Sequence, residues 1–116
     1  MPETTDIWFR TERSLETVAD LLGLGGVTCD AENHWEWVIG TLVTDDLQLD
    51  VTRTHTLPPG QADTRIFRLD NLPFTDEQIQ KISNLLLPIT TSEITWGQWR
   101  FKRGNDYELI EQGRMP

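Results

Sequence analysis

An alternation of apolar and polar residues from position 47 to position 56 most constrains how this chain can fold. In a strand, the apolar residues Leu47, Leu49 and Val51 would lie on one face. The polar residues Gln48, Asp50, Thr52 and Thr54 would lie on the other face. A strand with one apolar and one polar face is typical of an antiparallel sheet that has its core on one side and water on the other. The pattern therefore predicts a sheet of this kind, with other elements packed against its apolar face.

Two amphipathic helices are predicted beside this strand. The first follows Ser14 as N-cap and ends at Gly23, and its apolar stripe is Leu15, Val18, Ala19 and Leu22. The second follows Thr75, which has Gln78 at the capping-box position, and ends at Pro88. We expect both stripes to face the sheet.

The remaining segments contain several candidate strands. They lie at residues 7–10, 35–39, 65–69, 100–103 and 107–110, and the residues from 28 to 34 form a polar connection. Gly97 and Gln98, between Trp96 and Trp99, have the composition of a two-residue hairpin turn. The last two strands would be joined through residues 104–106.

The elements together predict a single α+β domain over residues 1–116. We expect an antiparallel sheet of about six or seven strands with two helices on one face, in the order β-α-β-β-β-α-β-β. The two halves are also compatible with a degenerate repeat. In each half a Phe-Arg pair precedes a helix that ends in Leu-Leu, and a pair of Trp residues follows the helix.

The distribution of charge bears on function. Residues 1–50 carry eleven acidic side chains and two basic ones, whereas residues 51–116 carry eight of each, so the formal charge of −9 lies in the first half. Its densest part, residues 30–50, also contains Trp35 and Trp37. Such a surface suits a basic protein partner and disfavours nucleic acid or an anionic membrane as partner.

Composition also bears on where the protein acts. The first residues have neither the basic region nor the apolar stretch of a signal peptide, and no apolar run approaches a membrane span. A single cysteine, Cys29, excludes an intramolecular disulfide and suits a reducing compartment. We therefore expect a cytoplasmic protein.

Two patterns invite a catalytic interpretation and a third a nucleic-acid-binding one, and each has a simpler explanation. Cys29 with His34 suggests a nucleophile and its base, but the acidic surroundings disfavour a thiolate, so a buried or semi-buried structural cysteine is favoured. Glu36 and Asp50, expected on one solvent-facing side of neighbouring strands, could form a glycosidase-like carboxylate pair, but nothing distinguishes them from the other acids, so a solvated acidic face is favoured. Basic residues alternating with Trp99 and Phe101 resemble a single-stranded nucleic-acid site, but the domain is acidic. We therefore expect neither enzyme activity, nor a metal, nor a cofactor.

Trp35, Trp37 and Ile39 share one face of their predicted strand, and Glu36 and Val38 share the other. If the tryptophan face is inward, both indoles belong to the core. If it is outward, a tryptophan becomes a natural binding hot spot. The acidic residues remain exposed in either arrangement.

The chain resembles the small cytoplasmic immunity proteins of bacterial contact-dependent inhibition and other polymorphic toxin systems. The residues that carry this likeness are 7–10 leading into 14–24, the acidic segment 32–37, residues 74–77 and the terminal strands. The resemblance implies a non-enzymatic inhibitor that binds the C-terminal domain of a cognate toxin, in many cases a basic nuclease. We then predict a contact surface of acidic residues with one tryptophan anchor: Asp30, Glu32, Glu36, Asp45, Asp46 and Asp50, with Trp35 or Trp37. The alternatives are a small hydrolase built around Glu36 and Asp50, and a regulatory subunit of a larger complex.

Overall fold

The chain forms a seven-stranded antiparallel sheet and two helices in the computed structural model, which describes residues 6–32, 35–54, 62–70, 72–103 and 106–115. The elements in chain order are β1 (Asp6–Phe9), α1 (Leu15–Leu22), β2 (Leu24–Glu32), β3 (Trp35–Leu42), a 3₁₀ turn (Val43–Asp45), β4 (Leu47–Thr54), β5 (Thr64–Arg68), α2 (Asp76–Leu86), β6 (Ile94–Arg103) and β7 (Asp106–Met115). The predicted α+β class is confirmed.

The strands lie side by side in the order β2-β3-β4-β5-β1-β6-β7, and every neighbouring pair is antiparallel. The first strand of the chain is therefore in the interior of the sheet, between β5 and β6. Ile7 pairs with Ile66 on one side and with Trp96 on the other. This placement joins the two halves of the sequence into one sheet.

Both helices begin where the sequence predicts. The Ser14 hydroxyl accepts a hydrogen bond from the Thr17 amide, and α1 ends at Gly23, whose φ of 74° is the left-handed conformation that glycine adopts at little steric cost. Thr75 and Gln78 form the complete capping box at the start of α2. These local bonds satisfy backbone groups that a helix end would otherwise leave unpaired.

The core lies between the two helices and one face of the sheet. Its members are buried and apolar: Ile7, Phe9, Leu15, Val18, Ala19, Leu22, Val38, Leu42, Leu47, Leu49, Val51, Ile66, Phe74, Ile79, Ile82, Leu86 and Ile94. The alternation in β4 is confirmed, because Leu49 and Val51 are fully buried here whereas Gln48 is exposed.

Cross-strand pairing extends this division across the sheet. Val38, Val51 and Ile66 form one row on the side that the helices cover, which we call the helix face. The other side, the open face, carries two neighbouring rows: Thr28, Ile39, Asp50 and Phe67, then Asp30, Trp37, Thr52, Arg65 and Trp8. Neither of the two described helices packs on the open face.

The predicted polar connection after the first helix is wrong, because residues 24–32 form strand β2. This strand is at the edge of the sheet and is exposed from Gly26 to Glu32, so it has no apolar alternation that could reveal it. A bulge between Gly25 and Thr28 further disturbs its period.

The predicted hairpin at residues 96–99 is also wrong. Strand β6 runs straight through these residues, and Gly97 pairs with Asp6 of β1 on one side and with Glu111 of β7 on the other. A turn there would remove both pairings. The chain reverses after Arg103 instead, as the predicted strands at 100–103 and 107–110 require; Gly104 and Asn105 lie outside the described residues.

The two halves do not repeat one topology. After α1 the chain makes β2, β3 and β4, and the last of these lies beside the central strands. After α2 it makes β6 and β7, and here the first lies beside the central strands. The short sequence similarity between the halves therefore does not correspond to a repeated fold.

Candidate functional site

Trp35 and Trp37 lie on the open face of β3. The predicted alternation is confirmed, with Val38 buried on the helix face and Trp35, Trp37 and Ile39 on the other. Trp35 is 48% exposed and Trp37 is half-buried. The core alternative for these two residues is wrong, since the helices cover the side of the sheet to which Val38 points.

The two indoles wall a shallow pocket. Its volume is about 230 Å³, and it is lined by Glu32, Trp35, Trp37 and Thr52. The register explains why these residues meet: Glu32 of β2 is opposite Trp35, and Thr52 of β4 is opposite Trp37. Three neighbouring strands thus contribute to one pocket.

A second carboxylate lies at the same place, because Asp30 of β2 is opposite Trp37. We call Asp30, Glu32, Trp35 and Trp37 together the aromatic–acidic patch. Asp30 and Glu32 are both exposed on the edge strand, and the carboxylate of Asp30 accepts a hydrogen bond from the Ala31 amide at 2.8 Å. Four of the predicted contact residues are therefore neighbours on one surface.

Asp50 is on the open face but further along it. It is opposite Ile39 and Phe67, is partly buried, and accepts a hydrogen bond from the Thr52 hydroxyl. Desolvation raises the pKa of Asp50, although the Thr52 hydrogen bond and the charge of Arg65 act in the opposite direction.

Glu36 does not share a face with Asp50, so the expectation that both lie on one solvent-facing side is wrong. Glu36 is on the helix face, where its carboxylate oxygen Oε1 lies 3.5 Å from Nη1 of Arg53. The sheet itself separates the two acids. Asp50 is opposite Ile39, and Ile39 is three residues from Glu36 on β3, so the two side chains point to opposite sides. A glycosidase-like arrangement cannot form from these two groups.

Asp45 and Asp46 are remote from the aromatic–acidic patch. They belong to the turn between β3 and β4, whereas Trp35 is at the other end of β3, ~24 Å away at ~3.4 Å per residue. Asp45 is bound to Lys81 of α2 at 2.9 Å, and hydrogen bonds from Lys81 and then Thr44 lower the pKa of Asp45. Asp46 has a φ of 49° and is exposed. The predicted contact residues thus do not form one continuous surface.

The open face also contains a buried acid that sequence reasoning missed. Asp6 is 4% exposed, and its carboxylate lies 3.4 Å from a guanidinium nitrogen of Arg65. Desolvation raises the pKa of Asp6 to about 6, even though Arg65 lowers it, and the charge of Asp50 raises it further. The same guanidinium stacks on Phe67, 4.8 Å from the ring centre.

One signal in the sequence pointed to Asp6. It comes directly before Ile7 and is two residues from Trp8, so a strand that begins one residue earlier than predicted places Asp6 on the same face as Trp8. Nothing local shows that β1 would be an interior strand, and this placement is what buries the carboxylate.

Cys29 is exposed on β2, so the expectation of a buried or semi-buried cysteine is wrong. Desolvation and then the nearby charge of Glu16 raise the pKa of its thiol, which opposes formation of a nucleophilic thiolate. His34 lies outside the described residues. Within the described ranges, no group of three or more His, Cys, Asp or Glu side chains is placed to hold a metal ion.

No protein-family model, no curated protein and no solved structure matches this chain. Of the helices in the described part of the chain, neither has the length and apolar character needed to cross a membrane.

Proposed function

We propose that this protein is a cytoplasmic immunity protein that neutralises a cognate toxin domain by binding it, without catalysis. The observation that carries the proposal is the aromatic–acidic patch. It joins a half-exposed tryptophan, Trp35, to a second indole and to the carboxylates of Asp30 and Glu32 on a face that neither described helix covers. Large aromatic side chains of this kind contribute most of the binding energy in many protein interfaces.

The charge of the chain supports a basic partner. The formal charge of −9 lies in residues 1–50, which include β2 and β3 and therefore the whole patch. An acidic surface accelerates encounter with a basic protein and repels nucleic acid. A nuclease domain that binds phosphates with basic residues is such a partner, and an inhibitor seated there would exclude its substrate.

The arrangement of carboxylates favours binding over hydrolysis. Glu36 and Asp50 are on opposite faces, and Asp6, the acid whose pKa rises to about 6, is 4% exposed and held by Arg65. A general acid must reach its substrate to transfer a proton. Asp6 in this position has little access to one.

A growth-rescue experiment tests the proposal. The C-terminal segment of the protein encoded immediately upstream is induced in a laboratory bacterium, with and without this chain. We expect the segment to be toxic and co-expression of this chain to relieve the toxicity. The two purified proteins should form a complex with a dissociation constant in the nanomolar range or below, which corresponds to a binding free energy of roughly −12 kcal/mol or more negative. A harmless segment, or toxicity that persists on co-expression, would contradict the proposal.

Charge reversals then test where the partner binds. Asp30→Lys and Glu32→Lys should slow association and weaken the dependence of its rate on salt. Asp20→Lys is the matched control, because Asp20 is exposed on α1, away from the open face. Equal effects of all three substitutions would show that net charge, rather than the patch, governs binding.

A further inference from the structure

We infer that the pocket between Trp35 and Trp37 receives an arginine side chain of the basic partner. The inference rests on the proposed function for the identity of that partner. The preference of the pocket for a guanidinium group is a property of this chain alone and can be measured without the partner.

The positions of the two tryptophans along β3 suit a flat cation. Trp35 and Trp37 are two residues apart on one face of β3, so their Cβ atoms are ~6.8 Å apart at ~3.4 Å per residue. A planar group between two rings needs about 3.5 Å on each side. A guanidinium is planar, stacks on aromatic faces and is weakly hydrated, whereas an ammonium is compact and strongly hydrated.

The polar lining supplies hydrogen-bond acceptors. Glu32 is opposite Trp35 and offers a carboxylate that can take two N–H groups of a guanidinium. Thr52 is opposite Trp37, and its hydroxyl hydrogen is donated to Asp50, which leaves the hydroxyl oxygen as an acceptor. Among the described residues that line the pocket, Glu32, Trp35, Trp37 and Thr52, none is basic.

The size of the pocket selects a side chain rather than a metabolite. Its volume of about 230 Å³ is below the roughly 300–1,000 Å³ of pockets that enclose small-molecule ligands. It is open to the surface of the sheet, where a side chain from another protein can enter. The carboxylates of Glu32 and Asp30 exclude phosphate groups from the same place.

The same chemistry already occurs within the protein. On the open face, the guanidinium of Arg65 stacks on Phe67 at 4.8 Å and lies 3.4 Å from the carboxylate of Asp6. An aromatic ring and a carboxylate thus hold an arginine on β5, the strand beside β4, where Arg65 is opposite the pocket residue Thr52. The pocket offers two rings and one carboxylate to an arginine from outside.

The experiment compares three small probes by NMR of the five indole N–H groups of the full chain. The probes are the N-acetyl amides of arginine, of citrulline, which has nearly the same shape without the charge, and of lysine, with ionic strength held constant. Trp35→Phe and Trp37→Phe assign two of the signals. We expect saturable shifts of the Trp35 and Trp37 signals with the arginine probe, at least 5-fold weaker binding of the lysine probe, and no saturation with citrulline.

Two variants separate this inference from general electrostatics. Glu32→Gln and Trp35→Ala should each weaken arginine-probe binding at least 5-fold, whereas Asp20→Asn, on the exposed surface of α1, should leave it unchanged. Equal binding of the arginine and citrulline probes, or shifts unaffected by both pocket variants, would overturn the inference.

The outcome does not depend on the toxin. If growth rescue succeeds but both pocket variants bind the toxin domain as tightly as the native chain, the inference is overturned and the proposed function stands. If growth rescue fails while the probe titration shows the expected selectivity, the function is overturned and the pocket remains a guanidinium site.

Discussion

Replacing Asp6 with asparagine should remove a large part of the pH dependence of stability between pH 4 and pH 7. Asp6 is 4% exposed, and desolvation raises its pKa from 3.8 to about 6 despite the nearby guanidinium of Arg65. A carboxyl whose folded pKa is raised stabilises the fold fully below its unfolded pKa. It loses that contribution as the pH rises through the folded pKa.

The magnitude follows from the shift. Between pH 4 and pH 6 the folded chain holds a proton on Asp6 that the unfolded chain has released, so the free energy of unfolding falls by about 1.4 kcal/mol per pH unit. Over the shift from 3.8 to about 6, the loss at pH 7 totals about 3 kcal/mol. Asparagine has a similar shape and carries no charge, so Asp6→Asn should stabilise the protein by up to this amount at pH 7 and have little effect at pH 4.

Urea unfolding followed by tryptophan fluorescence at half-unit steps from pH 4 to pH 7.5 measures this difference. Subtracting the curve of the native chain from that of Asp6→Asn removes the contributions of acids that do not interact with Asp6, and Asp20→Asn on the exposed surface of α1 provides the matched control. Parallel curves for Asp6→Asn and the native chain would refute the reasoning. They would show that the carboxylate is solvated in the folded protein.

Three further substitutions probe the patch, the helix face and the edge strand. Trp35→Ala should change the free energy of unfolding by less than about 1 kcal/mol, because Trp35 is 48% exposed, yet weaken binding of the proposed toxin partner at least ~10-fold in calorimetry. Glu36→Gln should destabilise the fold by about 1 kcal/mol through the loss of the Arg53 ion pair and leave the affinity for the proposed partner unchanged; a reduced affinity would extend the contact to the helix face. Gly40→Ala should lower the free energy of unfolding by roughly 1–3 kcal/mol in urea titrations, because the added Cβ would lie 2.9 Å from the Cβ of Leu24 on β2. An unchanged urea midpoint would show that β2 moves to accommodate the methyl group at little cost.

The sequence predicted those elements whose signal is local. Ser14 and Thr75 mark helix starts through hydrogen bonds to residues three positions later, and the alternation in β4 shows its buried face directly. Strand β2 has no such signal, because both faces of this edge strand are exposed and its residues therefore do not alternate between apolar and polar. The segment around Gly97 has the local composition of a turn, so the sequence predicts a hairpin there. The structure differs because strands β1 and β7 pair with Gly97 on its two sides.

The candidate site was predictable in part for the same reason. The two-residue period of a strand predicts that Trp35 and Trp37 share a face of β3, but this period does not show which face the helices cover. The polar character of Glu36 and Asp50 predicts one solvent-facing side for both, but the pairing of β3 with β4 places them on opposite sides of the sheet. The burial of Asp6 depends on the position of β1 in the sheet, which only tertiary structure determines.

The interior position of β1 has a consequence for how the protein is made. Asp6 is made before its partner Gly97, which lies 91 residues later in the sequence (97 − 6). At a synthesis rate of ~5–20 residues per second, β1 waits roughly 5 to 20 seconds for β6. During that interval the apolar side chains of Ile7 and Phe9 lie in a strand whose second edge is still unpaired. Until β6 is made, this unpaired edge is open to pairing with other chains, and chaperones that shield Ile7 and Phe9 during synthesis should raise the yield of folded protein.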